Sequence, residues 1–234
     1  LRTPPTGDII GYASSTPVSD GSRVFAVFGN GVVSAFDLRG KRLWSRWLRD
    51  SPKLRERFLM HGHTEGHAAS PRLVAGTLIV GFGSLMGLDP STGATRWDAG
   101  TFRDYGTPAI LKRSNETLIV TAEGRRIRAG DGVALPSRDP HTYYTSPVID
   151  GDRVYVTGAT SDDAGRPKAR ASLWSTTGET GPIWTAELDA ARYHVSPLVT
   201  GGRVYTLSVR GRLRVLRSRD GSLIYEKKLK LERP

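Results

Sequence analysis

The sequence predicts an all-β fold, a β-propeller of four-stranded antiparallel blades, with about five blades in its 234 residues. Three observations predict it. Five segments open alike, on Thr16-Pro17, Ser70-Pro71, Thr107-Pro108, Ser146-Pro147 and Ser196-Pro197. Each continues as alternating apolar runs parted by glycine-bearing turns, and no run has the length and period of a crossover helix. Several then close on an Asp/Ser-Gly turn followed by an aromatic residue. The openings are 54, 37, 39 and 50 residues apart. The two short spacings match the ~40-residue unit of a four-stranded blade, and the two long ones carry insertions.

Taken in order, the expected blades cover about 12–47, 67–102, 105–138, 143–187 and 193–229, with an insertion over 47–66, in a single domain. In each blade the first strong strand is a short alternating run. These runs are Arg23-Val24-Phe25-Ala26-Val27, Thr77-Leu78-Ile79-Val80, Thr117-Leu118-Ile119-Val120, Arg153-Val154-Tyr155-Val156 and Arg203-Val204-Tyr205-Thr206. The next strand follows a glycine turn, as in Val32-Val33-Ser34-Ala35-Phe36 and Arg212-Leu213-Arg214-Val215-Leu216. Gly81-Phe82-Gly83-Ser84-Leu85-Met86-Gly87 has the wrong spacing for a dinucleotide loop and reads as a hairpin turn. In the insertion, Ser51 as N-cap and Pro52 as first residue predict a short helix with Leu54 and Phe58 on one face.

The closing turns explain why one chain repeats them. Asp and Ser/Thr side chains cap the turn's own N–H groups, and glycine takes the positive φ a tight turn needs. The aromatic behind the turn lies on the outer strand and packs against the next blade. Covering a Trp removes roughly 200 Å² from water, at most about 4–5 kcal/mol per joint. The predicted docking residues are Asp37, Gly40 and Trp44; Asp89, Gly93 and Trp97; Trp174, Gly178 and Trp184; and Gly221 with Tyr225. Leu135 stands where the third blade would carry its Trp.

From Ala35 to Trp44, and again from Leu88 to Trp97, the chain resembles the tryptophan-docking repeat of the pyrroloquinoline-quinone-like β-propellers. The resemblance runs from about Tyr12 to Leu229. It implies one of two classes. Quinoprotein dehydrogenases hold quinone and calcium in the central funnel, under an adjacent Cys pair and beside a Glu/Asn/Asp set. Non-catalytic members include the scaffold lipoprotein of the outer-membrane β-barrel assembly machine and other exported bacterial proteins. Family members close with seven or eight blades, and the lead-in Leu1–Thr6 supplies no evident closing strand, so the expectation is part of a larger ring. The chain opens on Leu1 without a signal-peptide pattern; export to the periplasm is implied by the resemblance alone.

Candidate sites are few. There is no Cys, which removes disulfides, thiolate metal sites and a Cys nucleophile, and the only Asn residues are Asn30 and Asn115. His61, His63, Glu65 and His67 fall within seven residues of a glycine-rich loop. They read either as ligands of Zn²⁺ or another borderline metal, or as a polar loop meeting water. An aromatic or His precedes each Ser/Thr-Pro: Tyr12, His67, Tyr105, Tyr143 with Tyr144, and Tyr193 with His194. In rotationally equivalent blades these form a ring at one channel mouth, either binding a sugar, peptide or flat ligand or simply filling the channel.

The net charge is +11, spread along the chain, which reads as a solvated basic surface with attraction to anionic partners, a peripheral anionic surface among them. Arg125-Arg126-Ile127-Arg128 and Arg210-Gly211-Arg212-Leu213-Arg214 read as strands with a basic solvent face. They lack the interleaved aromatics that nucleic-acid binding needs. No apolar run is long enough to span a membrane. The expected function is a non-catalytic protein- or ligand-binding platform of the cell envelope with no cofactor. A quinone- or metal-dependent oxidoreductase and a carbohydrate-binding accessory are the alternatives.

Overall fold

The computed structural model describes residues 15–48, 69–102, 105–136, 144–161, 167–176 and 181–230. They form antiparallel sheets in which consecutive strands are neighbours. The first sheet joins β1 (Val18–Ser19), β2 (Arg23–Val27), β3 (Val32–Asp37) and β4 (Arg42–Trp47). The second joins β5 (Arg72–Val74), β6 (Thr77–Leu88) and β7 (Thr95–Phe102). The third holds β8 (Ala109–Lys112), β9 (Thr117–Val120), β10 (Arg126–Arg128) and β11 (Ala134–Leu135). The fourth holds β12 (Val148–Asp150), β13 (Arg153–Ser161), β14 (Pro167–Ser175) and β15 (Pro182–Leu188). The fifth holds β16 (Leu198–Thr200), β17 (Arg203–Leu207), β18 (Arg212–Arg217) and β19 (Leu223–Lys228). The first, third, fourth and fifth sheets are four-stranded blades of the predicted kind; the second has three strands, with β6 running over twelve residues.

One local expectation is corrected. The glycine-rich stretch 81–87 does not interrupt the second sheet as a separate turn; it lies inside the extended run of β6. Residues 77–79 pair with β5 and residues 83–88 with β7, so partners hold both ends extended. Gly83 alone takes a left-handed φ of 65° within the run. The short helix expected from Ser51 and Pro52 onward lies outside the described residues.

The register explains the packing. Val18, Phe25, Ala35 and Trp44 stand opposite one another across the first sheet. Period-2 alternation puts all four on one face. Phe25 and Ala35 are fully buried there, in a cluster with Leu78, Val80, Phe82, Met86 and Leu88 of the second sheet. The same row recurs in the fourth sheet as Val148, Tyr155, Leu173 and Trp184. Its covering layer includes Val204 and Leu216 of the fifth sheet and Tyr193.

By contacts the chain groups into two compact units. One contains residues 1–105, 112–118 and 127–134, the other 106–111, 119–126 and 135–234. Both clusters above are internal to one unit.

Candidate binding surface

Three indoles dock in the same way. Trp44 Nε1–H donates to Pro90 O at 3.0 Å, Trp97 Nε1–H to Ala129 O at 3.2 Å, and Trp184 Nε1–H to Ser218 O at 3.0 Å. In each case the accepting residue is the second of a turn on the next sheet. The ring then lies on the fifth residue of that turn, a glycine. A Cβ placed on Gly93 would come 2.8 Å from Trp44, on Gly132 2.7 Å from Trp97, and on Gly221 2.6 Å from Trp184. All three glycines have φ between 72° and 75°. Glycine is therefore needed twice over, for its backbone angle and for its bare face.

The turns are capped as the residue types require. Asp37 Oδ1 accepts the N–H of Arg39 and Lys41, Asp89 Oδ1 those of Ser91 and Thr92, and Asp220 Oδ1 that of Ser222. Hydrogen bonds from Ser222 hold the Asp220 carboxyl down to about 2. The Arg96 guanidinium, with the Ser91 N–H, lowers Asp89 in the same direction.

The third sheet, lacking the Trp, joins differently. Arg126 is 8% exposed, and its Nη2 donates to Ser175 O at 2.9 Å. The basic solvent face expected for Arg125–Arg128 is thus corrected: Arg126 points inward to a carbonyl. Arg128 does lie at the surface, paired with Asp131. Ile127, alternating between the two, is fully buried.

The Ser/Thr-Pro openings carry a second set of links that sequence reasoning did not foresee. Thr16 N–H donates to Ser70 Oγ at 2.9 Å, Thr107 N–H to Ser146 Oγ at 2.9 Å, and Ser146 N–H to Ser196 Oγ at 2.8 Å. Each hydroxyl receives the backbone N–H of an earlier opening. Proline follows, so this N–H is the last donor before the strand.

Of the proposed ring, Tyr105, Tyr144, Tyr193 and His194 are described; Tyr12, His67 and Tyr143 lie outside the described residues, as do His61, His63, Glu65 and Gly178. Tyr144 and His194 occupy the same place, two residues before Ser146 and Ser196. Their rings stack at 4.8 Å between centroids and 8° between planes. Tyr144 is 36% exposed, His194 is also exposed, and the adjoining Val195 is 56% exposed. Tyr105, at the equivalent position, is half-buried. Tyr193 is corrected: it is 1% exposed in the core with Tyr155 and Leu216, not at a rim. Burial pushes its phenol well above the usual tyrosine range, and the Asp189 carboxylate that accepts its O–H raises it further.

Of the other docking residues, Trp174 is buried on β14, whereas Tyr225 is 46% exposed. Gly40 is exposed with no ring on it.

The donor set of a quinone–calcium centre is not matched by these residues. The sequence has no Cys to supply an adjacent pair, and Asn30 uses its side-chain oxygen to accept Val32 N–H within a turn. Among the described residues, no group of three or more His, Asp or Glu is arranged to hold a metal, and no helix is long and apolar enough to cross a membrane.

Successive antiparallel sheets joined by indoles on turn glycines define a β-propeller with tryptophan-docking repeats. The chain belongs to the family described as outer membrane protein assembly factor BamB, whose model matches residues 7–181. Among solved structures it is similar to BamB from Moraxella catarrhalis, with TM-score 0.68, 18% identity, and coverage of 92% of this chain and 61% of that one. It is also similar to quinohemoprotein alcohol dehydrogenase from Comamonas testosteroni, with TM-score 0.69, 18% identity, and coverage of 94% and 43%. The computationally designed protein Ika8 aligns at TM-score 0.61 and 14% identity, over 92% and 61%. The chain thus spans about three-fifths of the length of BamB. At these identities the likeness shows the fold. No curated protein sequence matches the chain.

Proposed function

We propose that the chain is a non-catalytic propeller of the bacterial cell envelope that binds a protein partner in outer-membrane protein assembly. The observation that carries this reading is the solvent-facing Tyr144–His194 stack, with Val195 beside it. Aromatic faces with polar tips form low-entropy anchors for a protein surface. Membership of the BamB family supports the envelope setting. The lack of any Cys weighs against the dehydrogenase alternative, whose members carry an adjacent Cys pair. No cofactor is assigned to this function. The flat stack also suits the face of a sugar ring, which makes a carbohydrate ligand the second reading.

The test places a photo-crosslinking residue at Val195 in the bacterial envelope. The expected result is a cross-link to an outer-membrane assembly component, lost in the Tyr144→Ala, His194→Ala double variant. Stoichiometric uptake of quinone with calcium, accompanied by alcohol oxidation, contradicts the proposal. Saturable binding to a glycan, abolished by the same double variant, moves it to the second reading.

A further inference from the structure

The rim that carries the Tyr144–His194 stack is built from two loops tied together. Residues 189–197 lead from the fourth sheet into the fifth, and residues 208–211 turn between β17 and β18. Val209 N–H donates to Arg192 O at 3.0 Å and joins the two. Tyr193 is buried, with its O–H donated to Asp189, while Arg192 and His194 on either side of it are exposed. Lys228 Nζ donates to Arg210 O and brings the end of β19 to the same turn. Beside the stack the rim thus presents Val195 and Val209, 56% and 51% exposed, and the exposed cations Arg192, Arg210 and Lys228.

The charge around this rim is one-sided. Residues 181–230 hold ten Lys or Arg against four Asp or Glu, so about a fifth of the chain carries over half of the net +11. All four acids are engaged. Glu187 pairs with Lys168 at 3.6 Å, and Asp220 with Arg219 at 3.1 Å. Asp189 accepts from Tyr193 and faces Arg212 Nε at 3.9 Å, and Glu226 pairs with both Arg212 and Arg214. Arg192 and Arg210 form no ion pair among the described residues. Their guanidinium groups are open to an outside carboxylate, which a guanidinium takes with two parallel hydrogen bonds.

We infer that this rim binds an extended acidic segment of a protein, with carboxylates on Arg192 and Arg210 and apolar side chains against Val195, Val209 and the stack. The inference rests on the protein-binding reading above and gives the partner its chemistry. Charge complementarity selects the acid, because the cations of the rim are open and its own carboxylates are spent. The two valines beside an aromatic pair give the segment apolar contacts that a bare phosphate leaves unused. They offer far less apolar area than a face that enters a bilayer. Tyr144 and His194 each spend one ring face on the other, so the pair is not a stacking platform for successive bases. The buried Tyr193 and the Val209 bond fix both loops in advance, which lowers the ordering cost of binding.

The probe is a fluorescent peptide of alternating Asp/Glu and Leu, with a counterpart in which Asn and Gln replace the acids. Binding to the full chain is followed by fluorescence anisotropy. The acidic peptide should bind about tenfold more tightly than its counterpart, and more weakly as salt is raised. The Arg192→Gln, Arg210→Gln double variant should weaken it about tenfold. The Arg39→Gln, Lys41→Gln double variant removes the same charge from an exposed turn of the first sheet and should leave it unchanged. Circular dichroism checks that both variants fold; should the first fail to, the peptide pair on the parent chain still decides. Equal binding of the two peptides, or no binding of the acidic one, overturns the inference. So does equal weakening by the two double variants, which makes the effect one of net charge. Tighter binding of phosphatidylglycerol vesicles or of a single-stranded oligonucleotide, lost in the Arg192 and Arg210 variant, assigns the rim to a membrane or a nucleic acid and also overturns it. A cross-link at Val195 with charge-independent peptide binding keeps the protein-binding reading and removes the acidic partner. Charge-dependent binding without a cross-link keeps the acidic segment and removes the assembly partner.

Discussion

The joint between the fourth and fifth sheets and the joint between the third and fourth do the same task with different chemistry. At the first, Trp184 spreads an indole over bare Gly221 and donates one hydrogen bond to Ser218 O. At the second, Leu135 occupies the Trp position, and Arg126 crosses to Ser175 O from a different strand. The indole combines a large apolar area with a single donor at its edge, so one side chain supplies both adhesion and register. Arg126 keeps the register through a charge-assisted bond, without the aromatic area of the indole. In this chain a link joins successive sheets at both places, and the residue type that makes it differs.

The largest expected effect that separates the two joints is Trp184→Ala. Loss of the indole leaves a void over Gly221 and an orphaned carbonyl, at a cost of about 3–5 kcal/mol in chemical denaturation. Gly221→Ala comes next. The added methyl meets the ring at 2.6 Å, at a φ of 72°, and should cost about 2–4 kcal/mol. Gly40→Ala is its control, since the φ of 82° is similar but no atom lies within 4 Å, so the cost should fall to about 1 kcal/mol. Equal losses at the two glycines would show that the seat contributes nothing beyond backbone strain.

Arg126→Met tests the other joint. It keeps the aliphatic volume and removes the bond to Ser175 O, for about 1–3 kcal/mol by the same denaturation assay. The smallest change expected is acid sensitivity of the turns. Asp220, Asp89 and Asp131 have lowered folded-state values, so their stabilisation is present above the unfolded carboxylate value, near 4, and is lost as pH falls through the folded value. Denaturation midpoints should stay level between about pH 5 and 7 and fall below about pH 4. Asp220→Asn should flatten part of that fall.

The contrast also shows what was legible in the chain. Trp44, Trp97 and Trp184 could be read because a large aromatic recurs at a fixed distance behind a turn. Their acceptors could not, because the second turn residue is Pro90, Ala129 or Ser218 and only its backbone carbonyl is used. Arg126 misled for a related reason: Arg-Ile-Arg alternation looks like a wet strand face until the neighbouring sheet is in place. The Ser/Thr-Pro openings were visible as markers, but their links need the position of the following opening, which local pattern does not contain. Tyr193 and His194 were read as one rim pair, but they lie between strands and part company there: His194 faces solvent, and Tyr193 is buried with its O–H donated to Asp189.

The account rests on the indoles being seated on the following sheet. The most direct measurement is hydrogen exchange of the Trp Nε1–H groups by NMR in the native chain. Trp44, Trp97 and Trp184 should exchange far more slowly than a free indole, and Trp184 should lose its protection in a Gly221→Ala variant that remains folded. Exchange of all three at the rate of a solvent-exposed indole in the folded protein would contradict the account.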